Sequence, residues 1–256
     1  MSFKSQGRPL SGDGMNHICS TLGVSEPEIW AVLTVETHGF GFLQDRRPQI
    51  LFERHVFHKF TDGRYDAGNA DISNTTTGGY VGGTEEYSRL EKAMQLDQAA
   101  ALQSASWGIG QVMGSNYKVA GYHGVDDMVA DMVKDENAQL LAMANFIKGN
   151  HLDRALQHQN WETFARGYNG SNFKENEYDT RLAAAHAKFK VSIPNLALRT
   201  AQVALLYLGF DSGPVDGTRG RRTHSALIQF QEQSGLPETG ELDCDTEDKL
   251  LAKAFP

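Results

Sequence analysis

Ser25-Glu26-Pro27-Glu28-Ile29-Trp30-Ala31-Val32-Leu33-Thr34-Val35-Glu36, with Gly39 and Gly41 just beyond it, is the stretch from which the rest of the chain is read. Ser25 and Glu28 have the S-x-x-E spacing of a capping box, which satisfies backbone N–H groups at a helix start. An apolar run follows at helical spacing, and the glycines end it. Wound at about 100° per residue, Ile29, Val32, Leu33 and Glu36 fall within one stripe about 100° wide. The spacing therefore puts a carboxyl group on the apolar face of a helix, in its last turn. Burial there disfavours the anion and raises the pKa, and the negative end of the helix dipole acts in the same sense. A carboxylic acid still protonated near neutral pH can give its proton to a leaving oxygen. A lone glutamate at a helix end also simply reaches into water, so Glu36 acquires meaning from its neighbours.

Downstream, Gln49-Ile50-Leu51-Phe52-Glu53-Arg54 follows Pro48 and reads as a short strand, with Asp45 on the loop before it. Cleaving a sugar linkage with inversion needs a second carboxylate opposite the acid, about 6.5–9.5 Å away, to activate water. A strand folding back on the helix brings Glu53 or Asp45 into range. Glu53 also suits a structural ion pair with Arg54 or His55. Two further blocks have sugar-binding character. In Ser104-Ala105-Ser106-Trp107-Gly108-Ile109-Gly110-Gln111, Trp107 offers an apolar plate and Gln111 an amide for hydroxyl or acetamido groups. In Gly167-Tyr168-Asn169-Gly170, Tyr168 and Asn169 form a polar corner at a glycine-flanked helix end. Each block alone also fits a plain structural role, a buried Trp or a helix stop.

Residues 61–84 are rich in Gly, Asn, Asp and Thr and read as an irregular loop. Helical patterns occupy 85–103, 125–148, 151–168 and 179–190. The expected fold is mainly α, with a small β element near its start. Ile193-Pro194-Asn195 marks a boundary, giving domains 1–192 and 193–256. Beyond it Gly217, Thr223 and Leu227 recur as Gly240, Thr246 and Leu250. A helix over 197–208 followed by two copies of turn plus helix makes a three-helix module.

Composition excludes several classes of function. The chain has 256 residues, 22% of them charged, and a net charge of −8. Neither part is a basic module, which argues against nucleic acid and acidic lipid as partners. Cys19 and Cys244 are too few for a disulfide scaffold and read as reduced thiols. His55 and His58 form the one tight histidine pair, without the H-E-x-x-H spacing of a metal peptidase; no metal and no cofactor are expected. The N-terminus has no apolar signal-peptide core, and no run approaches a membrane span.

In this order, a helix ending in Glu36, the Gly110-Gln111 segment and Tyr168-Asn169-Gly170 resemble the superfamily of goose-type lysozymes and lytic transglycosylases. With Leu51-Phe52-Glu53-Arg54-His55, Ser106-Trp107-Gly108 and Gly167-Tyr168-Asn169-Gly170, residues 10 to 190 are most similar to phage endolysins of the N-acetylmuramidase family. The resemblance implies a lysozyme-like fold that cuts the β-1,4 bond between N-acetylmuramic acid and N-acetylglucosamine. It makes Glu36 the general acid and Glu53 the second carboxylate. Asp45 stays an alternative, because phage lysozymes of another branch place an acidic residue nine positions after their catalytic Glu; this chain lacks their following Thr, having Leu51 there. Residues 198–251 resemble a three-helix peptidoglycan-binding domain through Gln202, Leu208-Gly209-Phe210, Val215-Asp216-Gly217, Thr223, Phe230-Gln231, Gly240 and Thr246. Asp216 and Arg219 are its candidate wall contacts, although Asp-Gly also simply makes a turn.

The reading is thus a monomeric endolysin, made in the host cytoplasm and let out to the cell wall by a separate permeabilising protein. Its C-terminal module raises the local enzyme concentration on an insoluble polymer. Removing that module should weaken binding to sacculi more than cleavage of short glycans. The rival readings are a lytic transglycosylase giving 1,6-anhydro products, a wall-binding protein without activity, and a metal peptidase.

Overall fold

The computed structural model describes residues 2–37 and 39–256, and the side chains of Glu36 and Thr37 lie outside that description. The chain begins with α1 (Gly12–Leu22) and α2 (Glu26–Thr37). β1 (Ile50–Phe52), α3 (Arg54–Phe60), α4 (Glu85–Met94) and α5 (Gln98–Gln103) follow. The hairpin of β2 (Ala105–Trp107) and β3 (Val112–Met113) precedes α6 (Val125–Met132) and α7 (Glu136–Gly149). Then come α8 (Asp153–Gln157), α9 (Trp161–Asn169), α10 (Tyr178–Val191), α11 (Leu196–Tyr207), α12 (Arg221–Ser234) and α13 (Cys244–Ala254). The fold is mainly α with one small antiparallel sheet ordered β1-β2-β3, in which Leu51 faces Ser106 and Ser106 faces Met113.

Several helical stretches are shorter than the sequence pattern indicates, and the breaks have a chemical cause. Asp97, Asp135 and Asn160 each cap a new helix, accepting from the N–H of Ala100 (2.9 Å), Ala138 (2.8 Å) and Thr163 (3.1 Å). Such a cap contributes about 1 kcal/mol, enough to fix where one helix ends and the next begins. The expected strand over 49–54 is also shorter. It stops at Phe52, and Glu53 stands at the N-terminus of α3 instead of on the sheet.

Two compact units result. The first gathers Met1–Gly7, Gly41–Leu43 and Arg47–Leu152. Its core joins Phe3, Phe52, Phe57, Tyr87 and Trp107, with Phe3 centred 5.3 Å from Tyr87 and 5.8 Å from Trp107. The buried amide of Gln139 holds the sheet end, accepting from Ile109 N–H (2.8 Å) and donating to Met132 O (2.9 Å). Gly108, at φ +67°, is required beside it, because a Cβ there would lie 2.5 Å from Gln139 Cδ.

The second unit gathers Arg8–Phe40, Gln44–Arg46 and Asp153–Pro256. Within it α2 is buried nearly all round, not along one stripe: Ile29, Trp30, Ala31, Val32, Leu33 and Val35 are all buried, and among its described side chains only Thr34 is exposed. Half of the capping box forms: the Ser25 N–H donates to Glu28 Oε2 (3.1 Å), while the Ser25 hydroxyl donates to the same oxygen (2.7 Å). Glu28 is also a buried hub, 2.8 Å from His186 Nε2 and accepting from Gln159 (3.2 Å). Burial pushes its carboxyl up, but the Ser25 hydroxyl, its own backbone and His186 outweigh this and hold it below the ordinary range.

The helices α11, α12 and α13 share a core of Ala201, Leu205, Leu227, Phe230 and Leu250. Here the sequence repeat acquires a physical meaning. Gln202, buried on α11, accepts from Asp216 and Gly217 N–H (3.0 and 2.8 Å) and donates to Thr223 Oγ1 (3.2 Å). Gln231, buried on α12, accepts from Gly240 N–H (2.8 Å) and donates to Thr246 Oγ1 (3.0 Å). Each copy is a turn pinned by a buried amide from the preceding helix.

Candidate active site

In the first unit the chemistry gathers around Glu53. Its side chain is 16% exposed, and the Tyr80 hydroxyl donates to both carboxylate oxygens (2.9 and 2.8 Å). His55 Nδ1 lies 3.2 Å from Glu53 Oε2. Burial first, then the bond to Glu53 and its charge, push the Tyr80 phenol up to about 12, so it stays a donor at any working pH. Tyr80 itself is 45% exposed and sits in the glycine-rich run Gly78–Gly83. Sequence reasoning missed it; the signal was a lone aromatic in a run of glycines.

A second carboxylate, the fully buried Glu86, fixes this arrangement from behind. It accepts from Phe52 N–H (3.1 Å), Val81 N–H (2.7 Å), Gly82 N–H (3.0 Å) and Arg89 Nη1 (2.7 Å). One side chain thereby pins the residue before Glu53 and the two residues after Tyr80. Burial raises the Glu86 pKa, yet the three backbone donors and Arg89 outweigh it and the carboxyl is held below its ordinary 4.5. Arg54 anchors the same loop through the carbonyls of Ala70, Thr76 and Thr77 (3.1, 2.9 and 3.0 Å).

Trp107 and Gln111 do not offer their side chains as expected. The Trp107 indole is fully buried, with Nε1 donating to Leu102 O (3.1 Å), because its strand turns that face into the core. No plate for a sugar is exposed there. The Gln111 amide accepts from Ser106 Oγ (2.7 Å) and donates to Gly108 O (2.9 Å), tying the β2–β3 turn.

In the second unit, Glu36 stands in the last turn of α2, and its side chain lies outside the described residues. The carbonyls at this end meet two guanidinium groups. Arg181 of α10 donates to Val35 O (3.4 Å), and Arg199 of α11 donates to Gly39 O. Cations at a helix C-terminus stabilise its negative dipole end. Tyr168 and Asn169 close α9, half-buried, with the Tyr168 ring stacked on Phe164 at 5.4 Å. Asp45 is half-buried in a turn between Gln44 and Arg46. Asp216 is exposed, but its Oδ1 accepts from Thr218 N–H (2.8 Å) and so makes the turn, while Arg219 pairs with Glu241. Among the described residues, no group of three or more His, Cys, Asp or Glu is arranged to hold a metal ion. His58 pairs with Asp66 (2.8 Å).

The N-acetylmuramidase family model matches residues 25–190, more than half of the chain. The chain belongs to the N-acetylmuramidase family. A putative peptidoglycan-binding domain matches residues 195–250 of the same muramidase. Among solved structures, the Burkholderia AP3 phage endolysin is 35% identical over 72% of each chain, with a TM-score of 0.67. No curated protein matches the chain. The muramidase is therefore a peptidoglycan hydrolase of the endolysin type. Its catalytic domain cleaves the β-1,4 link between N-acetylmuramic acid and N-acetylglucosamine, and a peptidoglycan-binding domain follows.

Proposed function

We propose that Glu36 is the general acid of this muramidase and Glu53 its second carboxylate, with Asp45 the other candidate for the latter role. The observation that carries the choice of Glu53 is the Tyr80 hydroxyl, which donates to both oxygens of a largely covered carboxylate. An oriented carboxylate is what water activation requires. Glu36 donates to the bridging oxygen as the sugar bond breaks. Tyr168 and Asn169 are candidate sugar contacts; Trp107 and Gln111 act from within the first unit, holding its sheet in shape.

Residues 1–192 act as the catalytic domain and 193–256 as the wall-binding domain, where Asp216 and Arg219 are candidate contacts. The enzyme works as a monomer on peptidoglycan. It is made in the host cytoplasm and reaches the wall once a separate protein has permeabilised the membrane. Among the described residues, no helix is long and apolar enough to cross a membrane. The test is Glu36→Gln, Glu53→Gln and Asp45→Asn, each checked for folding by circular dichroism and assayed on purified peptidoglycan. The first two should lose about 10²–10⁴-fold in rate, as expected for an acid or base, and Asp45→Asn should stay active. Mass spectrometry of the products should find one water added per cut. A folded Glu36→Gln that clears walls at the native rate overturns the assignment.

A further inference from the structure

The segment just after the catalytic helix is held by the wall-binding domain at five places, all within the second unit. The Arg199 guanidinium, fully buried, donates to Gly39 O and lies over the rings of Trp30 and Phe40 (5.9 and 5.8 Å). Gly39, at φ +95°, packs so closely on the domain that a Cβ would lie 2.7 Å from Val215 O. Phe40 meets Tyr207 with ring centroids 6.0 Å apart. Gln44 donates to Leu206 O (3.3 Å). Arg46 stacks on Tyr207 at 4.1 Å and donates to Ala254 O (2.7 Å). A domain serving only as a tether has no reason to bury a charge on its partner's backbone, since such a charge is costly unless its bonds are well made.

We infer that Arg199 is a positioning residue for catalysis: the wall-binding domain sets the end of the helix that carries Glu36. This rests on the reading of Glu36 as the acid. Its physical content is that Glu36 lies three residues before the carbonyl that Arg199 holds, and that general acid catalysis tolerates little displacement. Arg suits the task because its planar fork binds a carbonyl while its faces stack on rings. The domain then contributes to turnover on every substrate, including glycans too short to need tethering. Removing the domain should then slow cleavage of short glycans as well as weaken binding to sacculi.

The full chain tests it, with kcat and KM measured on a soluble glycan of alternating N-acetylglucosamine and N-acetylmuramic acid, and wall affinity measured by pelleting with purified sacculi. All assays run well below each variant's melting temperature. Arg199→Met should lose about ten- to a hundredfold in kcat, with KM and pelleting unchanged, and Arg199→Lys should recover most of the loss. If Arg199→Met does not fold, the pair Arg46→Met with Tyr207→Leu loosens the same segment and should lower kcat in the same way. A folded variant with native kcat, or lost pelleting beside native kcat, refutes the inference. Glu36→Gln runs alongside. If it is inactive while Arg199→Met is native, only the positioning role fails. If Glu36→Gln is active, the acid assignment falls and the inference with it.

Discussion

Replacing Glu86 by Gln removes one charge and turns an acceptor into a donor at a fully buried group that accepts four hydrogen bonds. In the native protein Oε1 takes the N–H groups of Val81 and Gly82, and Oε2 takes Phe52 N–H and Arg89. An amide keeps one oxygen, so whichever way it turns, two donors face an NH2 group. A hydrogen bond to a charged group contributes about 1.5–3 kcal/mol, and breaking a buried ion pair from one side costs about 3–5 kcal/mol. The two losses overlap at Arg89, so the whole effect is about 3–5 kcal/mol. At about 2–4 °C per kcal/mol for a body of 150–250 residues, the melting midpoint should fall by roughly 6–20 °C.

The pH dependence follows from the depressed pKa. Glu86 contributes its full stabilisation above its ordinary 4.5 and loses it as pH falls through the lower folded value. Native and Glu86→Gln midpoints, followed by circular dichroism from neutral pH into acid, should therefore converge below pH 4.5. Because the same carboxylate pins the flanks of Glu53 and Tyr80, the variant should also lose turnover at temperatures where it stays folded. A midpoint shift of only about a degree at neutral pH, or a gap that persists in acid, refutes this reasoning.

Three further outcomes are expected. Gln202→Leu and Gln231→Leu should each destabilise the wall-binding domain by about 2–4 kcal/mol in urea titrations, since buried turn N–H groups lose their acceptor. Trp107→Phe should cost about 1–3 kcal/mol in stability and leave KM for soluble glycan unchanged; a raised KM with native stability would put the indole in the groove. Glu28→Gln should destabilise by about 2–4 kcal/mol at neutral pH. The Glu28 carboxyl is also held below its ordinary value, so this loss should fade in acid, which thermal melts at graded pH would check.

Much of the fold was legible from local chemistry. The helix start at Ser25 and Glu28 and the duplicated turns of the C-terminal domain are short-range signals, and the structure has both. α1 escaped because Gly12 and Gly14 weaken its first turn, although Ser11 caps it and Gly23, at φ +66°, ends it. The site was less legible, for a different reason. Nothing in Ser106-Trp107-Gly108 says which face of the strand meets the core. The Glu53–Tyr80 bond spans 27 positions across an irregular loop, where no periodicity predicts a neighbour. Glu28 was read as a cap, but its burial beside His186, 158 positions away, is a property of tertiary packing alone.

The bond from Arg199 to Gly39 bears on how this enzyme can be re-engineered. Exchanging everything after residue 192 for a foreign targeting module, to redirect the lysin to another bacterium, would strip the α2 end of a guanidinium and an aromatic shelf at one stroke. Retargeting by graft therefore calls for keeping α11 and Tyr207 in the host scaffold and appending the new specificity beyond Pro256.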